Sequence, residues 1–395
     1  MRRVLHFKTG PYLPVTENWM YGQIKGLRRY EPIVYACNRE NLSLFPVNKI
    51  RTTGFLRVAK RGLRLRKIYF YLYFLYYLAK DRPDVVHAHF GPSGQRFLVL
   101  KRIINVPLIT TFYGYDVNQI IQEHPAWLDK YRRLFRDGTL FLVEGSYMKK
   151  SLAAIGCPEE KILVQHLGVD VDTIKFVPRK IVHGEETRIL MAASFREKKG
   201  IPYGIDAFGH FKNMHPQVKA SLTIIGDSAG DRSGEEQKRL ILKHIEKHHI
   251  ENSVKMMGYQ SHEVFIRELY SHHLFLAPSV QASDGDSEGG VPVSIIEAAA
   301  SGIPVLATYH CDIPEVVLDG KSGYLVPERD AALLAKRLES LVFNVSMWPE
   351  IGTNGRRHIE QNYNARTQIE LLEGIYDRVV SGEYAKRCHV SRSCS

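Results

Sequence analysis

Apolar residues fall along this chain in two alternating textures. Short runs rich in Val, Ile and Leu read as strands: RRVLHF, EPIVYAC, PDVVHAHF, VPLITTFY, TLFLVEG and KILVQHL in the first half, then TRILMAAS, ASLTIIGD, NSVKMMG, HLFLAPS and IPVLAT in the second. Longer stretches between them repeat their apolar residues at helical spacing, over 17–29, 94–104, 148–155, 201–214, 235–248 and 331–343. The strand runs are apolar nearly throughout instead of alternating, as burial on both faces requires. The pattern predicts an α/β fold of parallel sheets with helices on either side.

The texture runs twice. A polar break over 176–186, FVPRKIVHGEE, precedes a fresh strand at Thr187 and marks the expected linker. It divides the chain into a domain over 1–178, a second over 179–362, a helix over 363–382 returning toward the first domain, and a loose tail over 383–395. Two Rossmann-like, doubly wound domains are expected to face each other across a cleft. Open parallel sheets bind ligands at the carboxyl ends of their strands, so the chemistry belongs in the loops that follow strands.

Composition narrows the class. At 395 residues the chain is long for one core, and 44% apolar with 24% charged residues suits a folded, soluble protein. Five scattered cysteines without a CxxC pair suit a reducing compartment and offer no zinc site. MRRVLHFKTGPYLP lacks the apolar stretch of a signal peptide. The greasiest segment, over 68–79, has 12 residues against the roughly 20 of a membrane-spanning helix. A cytoplasmic protein is expected. Residues 1–180 hold 30 Lys/Arg and 14 Asp/Glu, a balance of +16, and the rest holds 24 and 28, a balance of −4, giving the total of +12. A basic half joined to a mildly acidic one implies two domains with different duties.

The strongest local signal starts at Leu274: LFLAPSVQASDGDSEGGVPVSIIEAAASGIPVLATYHCDIPEVV. A strand ends at Pro278, a loop holds Asp284, Asp286 and Glu288, and Pro292 stands at the favoured first position of a helix. Unpaired N–H groups and the dipole at that helix start suit a diphosphate. Gly289 and Gly290 let a ligand approach the main chain. Glu288 stands outside the helix as an acceptor for sugar hydroxyls, and Glu297 lies near its second turn, within reach of a ribose. The same residues also describe a solvated acidic loop before an ordinary core helix.

EGGVPVSIIEAAASGIPVLAT followed by IPEVV resembles the donor-site signature of family 4 of the retaining glycosyltransferases, which have the GT-B fold. SFREKKGIPYGIDAF resembles that family's phosphate-binding segment, and TIIGD with MMGYQSHEVFIRELYSHHLFLAPS its base-binding stretch. VVHAHFG, TTFYGYDV and QHLGVDVDTIKF fit in the same order, so the resemblance covers most of residues 1–330. It implies a metal-independent transferase using a UDP- or GDP-sugar, with no further cofactor, in exopolysaccharide, capsule or lipopolysaccharide assembly. By the same resemblance Arg196 and Lys199 neutralise the departing diphosphate, and Glu288 takes part in catalysis by holding donor hydroxyls. Gly289, Gly290, Val291, Pro292 and Val293 give main-chain contacts, Glu297 holds the ribose, Gly258 and Tyr259 lie against the base, and Gly10 approaches the donor phosphates.

Three departures stand out. Eight residues separate Glu288 from Glu297 where the family usually has seven. Ser194 occupies the place of a frequent arginine, whose charge Arg196 would replace. Tyr113 stands where many members have histidine, and a phenol is a poor base at neutral pH, so acceptor or sugar-ring binding is its expected role.

Weaker signals keep two readings each. His87 and His89, on one face of a strand end, line the cleft or are satisfied polar groups; zinc is disfavoured because no further ligand stands at metal spacing. Asp116 contacts the acceptor or caps a turn, and Glu17 does the same or caps the first long helix. Asp284-Gly285-Asp286 is read as an acidic loop in preference to a metal-binding DxD. Within the basic region 57–67, Arg57, Lys60, Arg61 and Arg64 follow helical spacing and, if helical, would share one face. That face meets anionic lipid at the inner side of the plasma membrane, where a polyprenyl-linked or other glycan acceptor would wait, or is simply solvated. No nucleic-acid recognition motif accompanies it. The rival functions are a sugar-nucleotide epimerase of the same two-domain plan and a non-enzymatic membrane- or nucleic-acid-binding module. A nicotinamide dehydrogenase lacks its GxGxxG here.

Overall fold

The computed structural model describes residues 1–14, 17–54, 63–182 and 184–384. Its contacts divide the chain into two units, Met1–Gly168 with Ala365–Ser395, and Val169–Asn364. The first contains β1 (Arg2–Phe7), β2 (Tyr30–Ala36), β3 (Ile50–Thr52), β4 (Val85–His89), β5 (Leu108–Thr111), β6 (Leu140–Val143) and β7 (Ile162–Val164). They form one parallel sheet in the order β3-β2-β1-β4-β5-β6-β7. The second contains β8 (Thr187–Ala192), β9 (Ala220–Ile225), β10 (Val254–Met256), β11 (Leu274–Ala277), β12 (Val305–Thr308) and β13 (Gly323–Val326). Its order is β10-β9-β8-β11-β12-β13, again parallel throughout. Both sheets are doubly wound, with strand order reversing between β1 and β4 and between β8 and β11. At such a reversal the helices after the two central strands leave on opposite faces, opening a crevice at the strand ends.

Helices cover each sheet through apolar stripes. In the first unit the helix Leu63–Asp81 turns Phe70, Phe74 and Leu78 inward, with Phe74 edge-on to Phe7 at 5.8 Å and stacked on Tyr35 at 4.9 Å. Among the described residues no helix is long and apolar enough to cross a membrane. The helix Ala365–Val380 covers the other face, burying Leu372, Ile375, Tyr376 and Val379 with Val4, Val85, Ile109 and Leu140. Its Glu373 accepts the main-chain N–H groups of Arg28 at 2.8 Å and Arg29 at 2.6 Å. The second unit buries Ile189, Leu276 and Leu306 under the helices Ile201–Met214 and Ala331–Phe343.

Several boundaries differ from the sequence reading. The short strands β3 and β13 and the helix Trp127–Asp137 were not expected. The junction falls at Gly168–Val169, ahead of the polar break. Val169, Val171 and Ile174 sit in the second unit's core, and Arg179 is buried there, donating to the carbonyls of His272 at 2.9 Å and Leu269 at 2.7 Å. A buried arginine whose donors are taken by carbonyls and by the Ser301 hydroxyl looks, in sequence, like a solvated one. At the other end Tyr384 is buried against the Ala365–Val380 helix, so the packed structure runs past residue 383, where the loose tail was expected to begin. Residues 385–395 lie outside the described residues, as do Arg57, Lys60, Arg61 and the side chain of Arg64.

Candidate functional site

The reversal point of the second sheet assembles most of the residues singled out on that half. After β8 the chain makes a short 3-10 turn over Glu197–Lys199 and enters the helix Ile201–Met214 through Gly200, at φ +59°. A Cβ on Gly200 would stand 1.8 Å from the carbonyl oxygen of Pro278, at the end of β11. This close approach locks the two loops together and brings their charges face to face. Lys199 Nζ lies 2.6 Å from Glu288 Oε2, and Ser279 Oγ donates to Glu288 Oε1 at 2.7 Å. Arg196 pairs with Asp286 Oδ2 at 2.7 Å, and Lys198 reaches Asp286 Oδ1 at 3.2 Å and the Ser287 carbonyl at 2.9 Å.

Burial would raise the Glu288 carboxyl, but the charges of Lys199 and Lys198 and hydrogen bonds from Lys199 and Ser279 hold it at about 2. Burial lowers the Lys198 ammonium, against the opposing pull of Glu288 and Asp286. Glu288 is therefore an anion throughout the neutral range, paired with Lys199 and favoured by the charge of Lys198. Below it lies a cavity of about 20 Å³ lined by Lys199, Ser279, Glu288, Pro292 and Ile295, about the space of one water.

The main chain from Gly289, at φ +74°, through Gly290 and Val291 leads to the helix Val293–Ser301. Pro292 is its N-cap, with extended ψ of 127°, and not its first helical residue as the sequence suggested. The turn from extended to helical backbone thus comes one residue later. Glu297, on the first turns of that helix, accepts from His262 Nε2 at 2.6 Å. The hydrogen bond and then the charge of Glu297 raise His262, against its burial. Gly258, at φ +66°, bonds through its carbonyl to the N–H of Gly226 at 2.9 Å, and Tyr259 beside it is half exposed.

Lys198, Ser279, His262 and His310 escaped the sequence reading. His310, at the end of β12, is buried; its Nε2 accepts the Glu288 N–H at 3.1 Å, while Nδ1 meets Glu328 at 2.6 Å. The usable signal was positional, since Ser279 and His310 each stand two residues past strands adjacent in the sheet.

In the first unit the reversal lies between β1 and β4, where register sets His6 opposite His87. His6, His87 and His89 form a buried layer with ring centroids 4.4–5.6 Å apart. Nδ1 of His6 is 3.0 Å from Nε2 of His89, whose Nδ1 meets the Tyr113 hydroxyl at 2.7 Å. His87 bonds Tyr376 at 2.7 Å and Thr111 at 2.6 Å. Burial holds His6 at about 3 and pushes His87 and His89 well below their ordinary value, so the layer is neutral. The expectation that no third ligand stands near His87 and His89 is corrected: the ligating atoms of these three lie within 4.8 Å of one another, the single such group among the described residues. Both nitrogens of His87 are engaged by Tyr376 and Thr111, however, and both of His89 by Tyr113 and His6.

Tyr113 rests between Trp19 at 4.4 Å and Phe90 at 4.8 Å. Asp116 is fully buried, its oxygens accepting the N–H groups of Gly91 at 2.7 Å and Tyr113 at 2.9 Å. Of its two readings the geometry selects capping, since both oxygens are committed to main chain. Burial, against these hydrogen bonds, raises its carboxyl to about 6. Glu17 stands at the N-cap of the helix Asn18–Gly26 but makes no side-chain cap bond; it pairs with Lys8 instead. Gly10 has room to spare, as a Cβ there would meet only the Lys8 side chain at 3.8 Å.

Comparison with known proteins bears on both units. The model of Glycosyl transferases group 1 matches residues 173–358, and that of Glycosyltransferase Family 4 matches residues 17–173. The chain is 34% identical over 304 residues to WcaL of Escherichia coli (strain K12), a glycosyltransferase named for colanic acid biosynthesis, covering 74% of this chain and 71% of that protein. It is 32% identical over 300 residues to the amylovoran biosynthesis glycosyltransferase AmsK of Erwinia amylovora, covering 75% and 70%. In fold it resembles Anabaena HepE, solved in complex with UDP and glucose, with TM-score 0.77, 16% identity and coverage of 95% and 100%. Sucrose-phosphate synthase from Thermosynechococcus elongatus gives TM-score 0.75 at 16% identity, covering 97% and 100%.

Proposed function

Since this chain belongs to the glycosyltransferases of group 1 and family 4, with their GT-B fold, we propose that it moves a sugar from a UDP- or GDP-sugar to a glycan or polyprenyl-linked acceptor, with retention at the anomeric carbon and without a metal ion. The observation that carries this reading is the Lys199–Glu288–Ser279 cluster beside the N-terminus of the helix Val293–Ser301. Cleavage of a sugar–phosphate bond puts positive charge on the ring and added negative charge on the diphosphate. Arg196, Lys199 and the main chain of Gly289–Val293 stabilise the departing diphosphate, and fixed donors of this kind favour the transition state over the ground state. Glu288 accepts from donor-sugar hydroxyls, Glu297 from the ribose, and the base lies at Gly258 and Tyr259.

On the acceptor side Tyr113, oriented by His89 and flanked by Trp19 and Phe90, offers a sugar ring both an aromatic face and a hydroxyl. Glu17 is the nearby carboxylate. The names of WcaL and AmsK support a place in exopolysaccharide assembly, which fits a cytoplasmic protein working against the inner membrane face through its basic region 57–67.

The deciding experiment incubates the protein with UDP-, GDP- and ADP-sugars, with and without a membrane lipid extract, and follows nucleotide release and the anomeric configuration of the product. Release with a UDP- or GDP-sugar and a retained configuration are expected. No release with any donor sinks the transferase reading; inversion refutes the stereochemistry, loss with a chelator refutes metal independence, and an isomerised sugar without acceptor points to an epimerase.

A further inference from the structure

The helix Leu63–Asp81 has two apolar faces, and among the described residues only one of them is buried. Phe70, Phe74 and Leu78, facing the first sheet, are at most 5% exposed. Two residues further on, about 200° around the helix axis, Leu72 and Tyr76 are each 56% exposed, with Ile68 at 53% and Tyr69 at 47% beside them. An outward helical stripe normally carries charge. From Ile68 to Ala79 this helix has no charged side chain at all, and Lys80 at its end lies 5.0 Å over the Tyr76 ring. The sequence just before the stripe is basic: six Lys and Arg between Arg57 and Lys67, and no Asp or Glu anywhere between Glu40 and Asp81.

We propose that Ile68, Tyr69, Leu72 and Tyr76 form an insertion face that enters the headgroup–acyl boundary of a bilayer bearing anionic lipid, with the adjoining basic run adding attraction. The outer tyrosines suit that boundary, each with an apolar ring and a polar tip. A second copy of the chain is the competing cover. A two-fold pair sets the same patch against itself, so it would bring two basic runs together, whereas an anionic surface neutralises them. The idea rests on the peripheral-membrane reading above, but names different residues and a different force.

The test floats the full chain with vesicles of phosphatidylcholine containing phosphatidylglycerol, and of phosphatidylcholine alone. Wild type is expected to float with the anionic vesicles only, and less at high salt. The double variant Leu72→Asp/Tyr76→Asp loses affinity by at least about tenfold, while Tyr76→Trp retains it. Both variants keep the wild-type unfolding midpoint and turnover of a water-soluble acceptor, because the positions are exposed and distant in sequence from the donor residues. If the aspartate variant floats as well as wild type while Arg57→Glu/Lys60→Glu does not, the basic region survives and the insertion face falls. Equal flotation on neutral vesicles overturns the role of charge. A dimer in light scattering that Leu72→Asp dissolves overturns the membrane assignment in favour of a second copy.

Discussion

The main-chain N–H of Glu288 donates to Nε2 of His310 across 3.1 Å. That imidazole is thereby an acceptor on Nε2 and carries its proton on Nδ1, facing Glu328 at 2.6 Å. A buried histidine and its carboxylate thus fix the backbone at the residue proposed to grip the donor sugar. His310→Phe leaves the N–H unsatisfied, at a cost of about 1–3 kcal/mol. The expected outcome is a fall of roughly tenfold or more in kcat/KM for the donor, measured by initial rates. His310→Gln, whose amide oxygen can accept the same N–H, recovers part of the loss.

Lys199 and Glu288 are expected to behave as one unit. Lys199→Met removes a cation proposed to face the leaving group and strands a buried carboxylate. A fall in kcat on the order of a hundredfold follows, with a loss of stability of about 3 kcal/mol. Adding Glu288→Gln restores much of the stability but none of the rate. A double-mutant cycle in urea, with kinetics on the same four proteins, checks both halves.

Glu288 also makes stability depend on acid. Its folded carboxyl sits at about 2, below its ordinary value of 4.5. The stability it contributes is present above the unfolded value and is lost as pH falls from about 4.5 to about 2. Glu288→Gln should flatten that part of the curve of unfolding free energy against pH. An unchanged slope would show that other carboxyls govern it.

His262 titrates in the opposite sense. Glu297 raises it above its ordinary 6.5, so its contribution is complete below that value and fades as pH rises through the folded one. Glu297→Gln should return the His262 resonance toward 6.5 in a proton-NMR titration. In the same variant the donor KM rises more than kcat falls if Glu297 holds the ribose.

Gly200 ties the two loops of the donor region together. Gly200→Ala places a methyl group 1.8 Å from the Pro278 carbonyl at a positive φ. Either the 3-10 turn or the β11 end must shift, and Lys199 moves with it. Loss of stability beyond about 2 kcal/mol is expected, seen as a lower urea midpoint together with reduced turnover.

Much of this molecule could be read from its sequence because burial on both faces leaves unbroken apolar runs. The central strands of both sheets announced themselves that way, and β8 and β11 placed Arg196, Lys199 and Glu288 beside one reversal point. The edge strand β3, three residues long, and β13, hidden in SGYLVP, were too short to stand out. Contacts made by strand order were hidden too. His6 belongs with His87 only through the pairing of β1 with β4, 81 residues apart. His310 reaches Glu288 because β12 lies beside β11. Arg179 was hidden for a different reason: inside a polar break its charge reads as solvated, while here it holds main chain together inside the fold, as Asp116 does in the capping role that was one of its two readings.

The return of the helix Ala365–Val380 to the first sheet has a consequence for how the chain is made. Strands β1 to β7 are complete once residue 164 has left the ribosome, yet Val4, Ile109 and Leu140 stay uncovered, and His87 lacks Tyr376, until the far end of the chain arrives. The intervening unit, Val169–Asn364, takes about 10–40 s to synthesise at ordinary elongation rates. For that interval the nascent first unit exposes one greasy sheet face, which the helix Ala365–Val380 closes only after the whole second unit has been made.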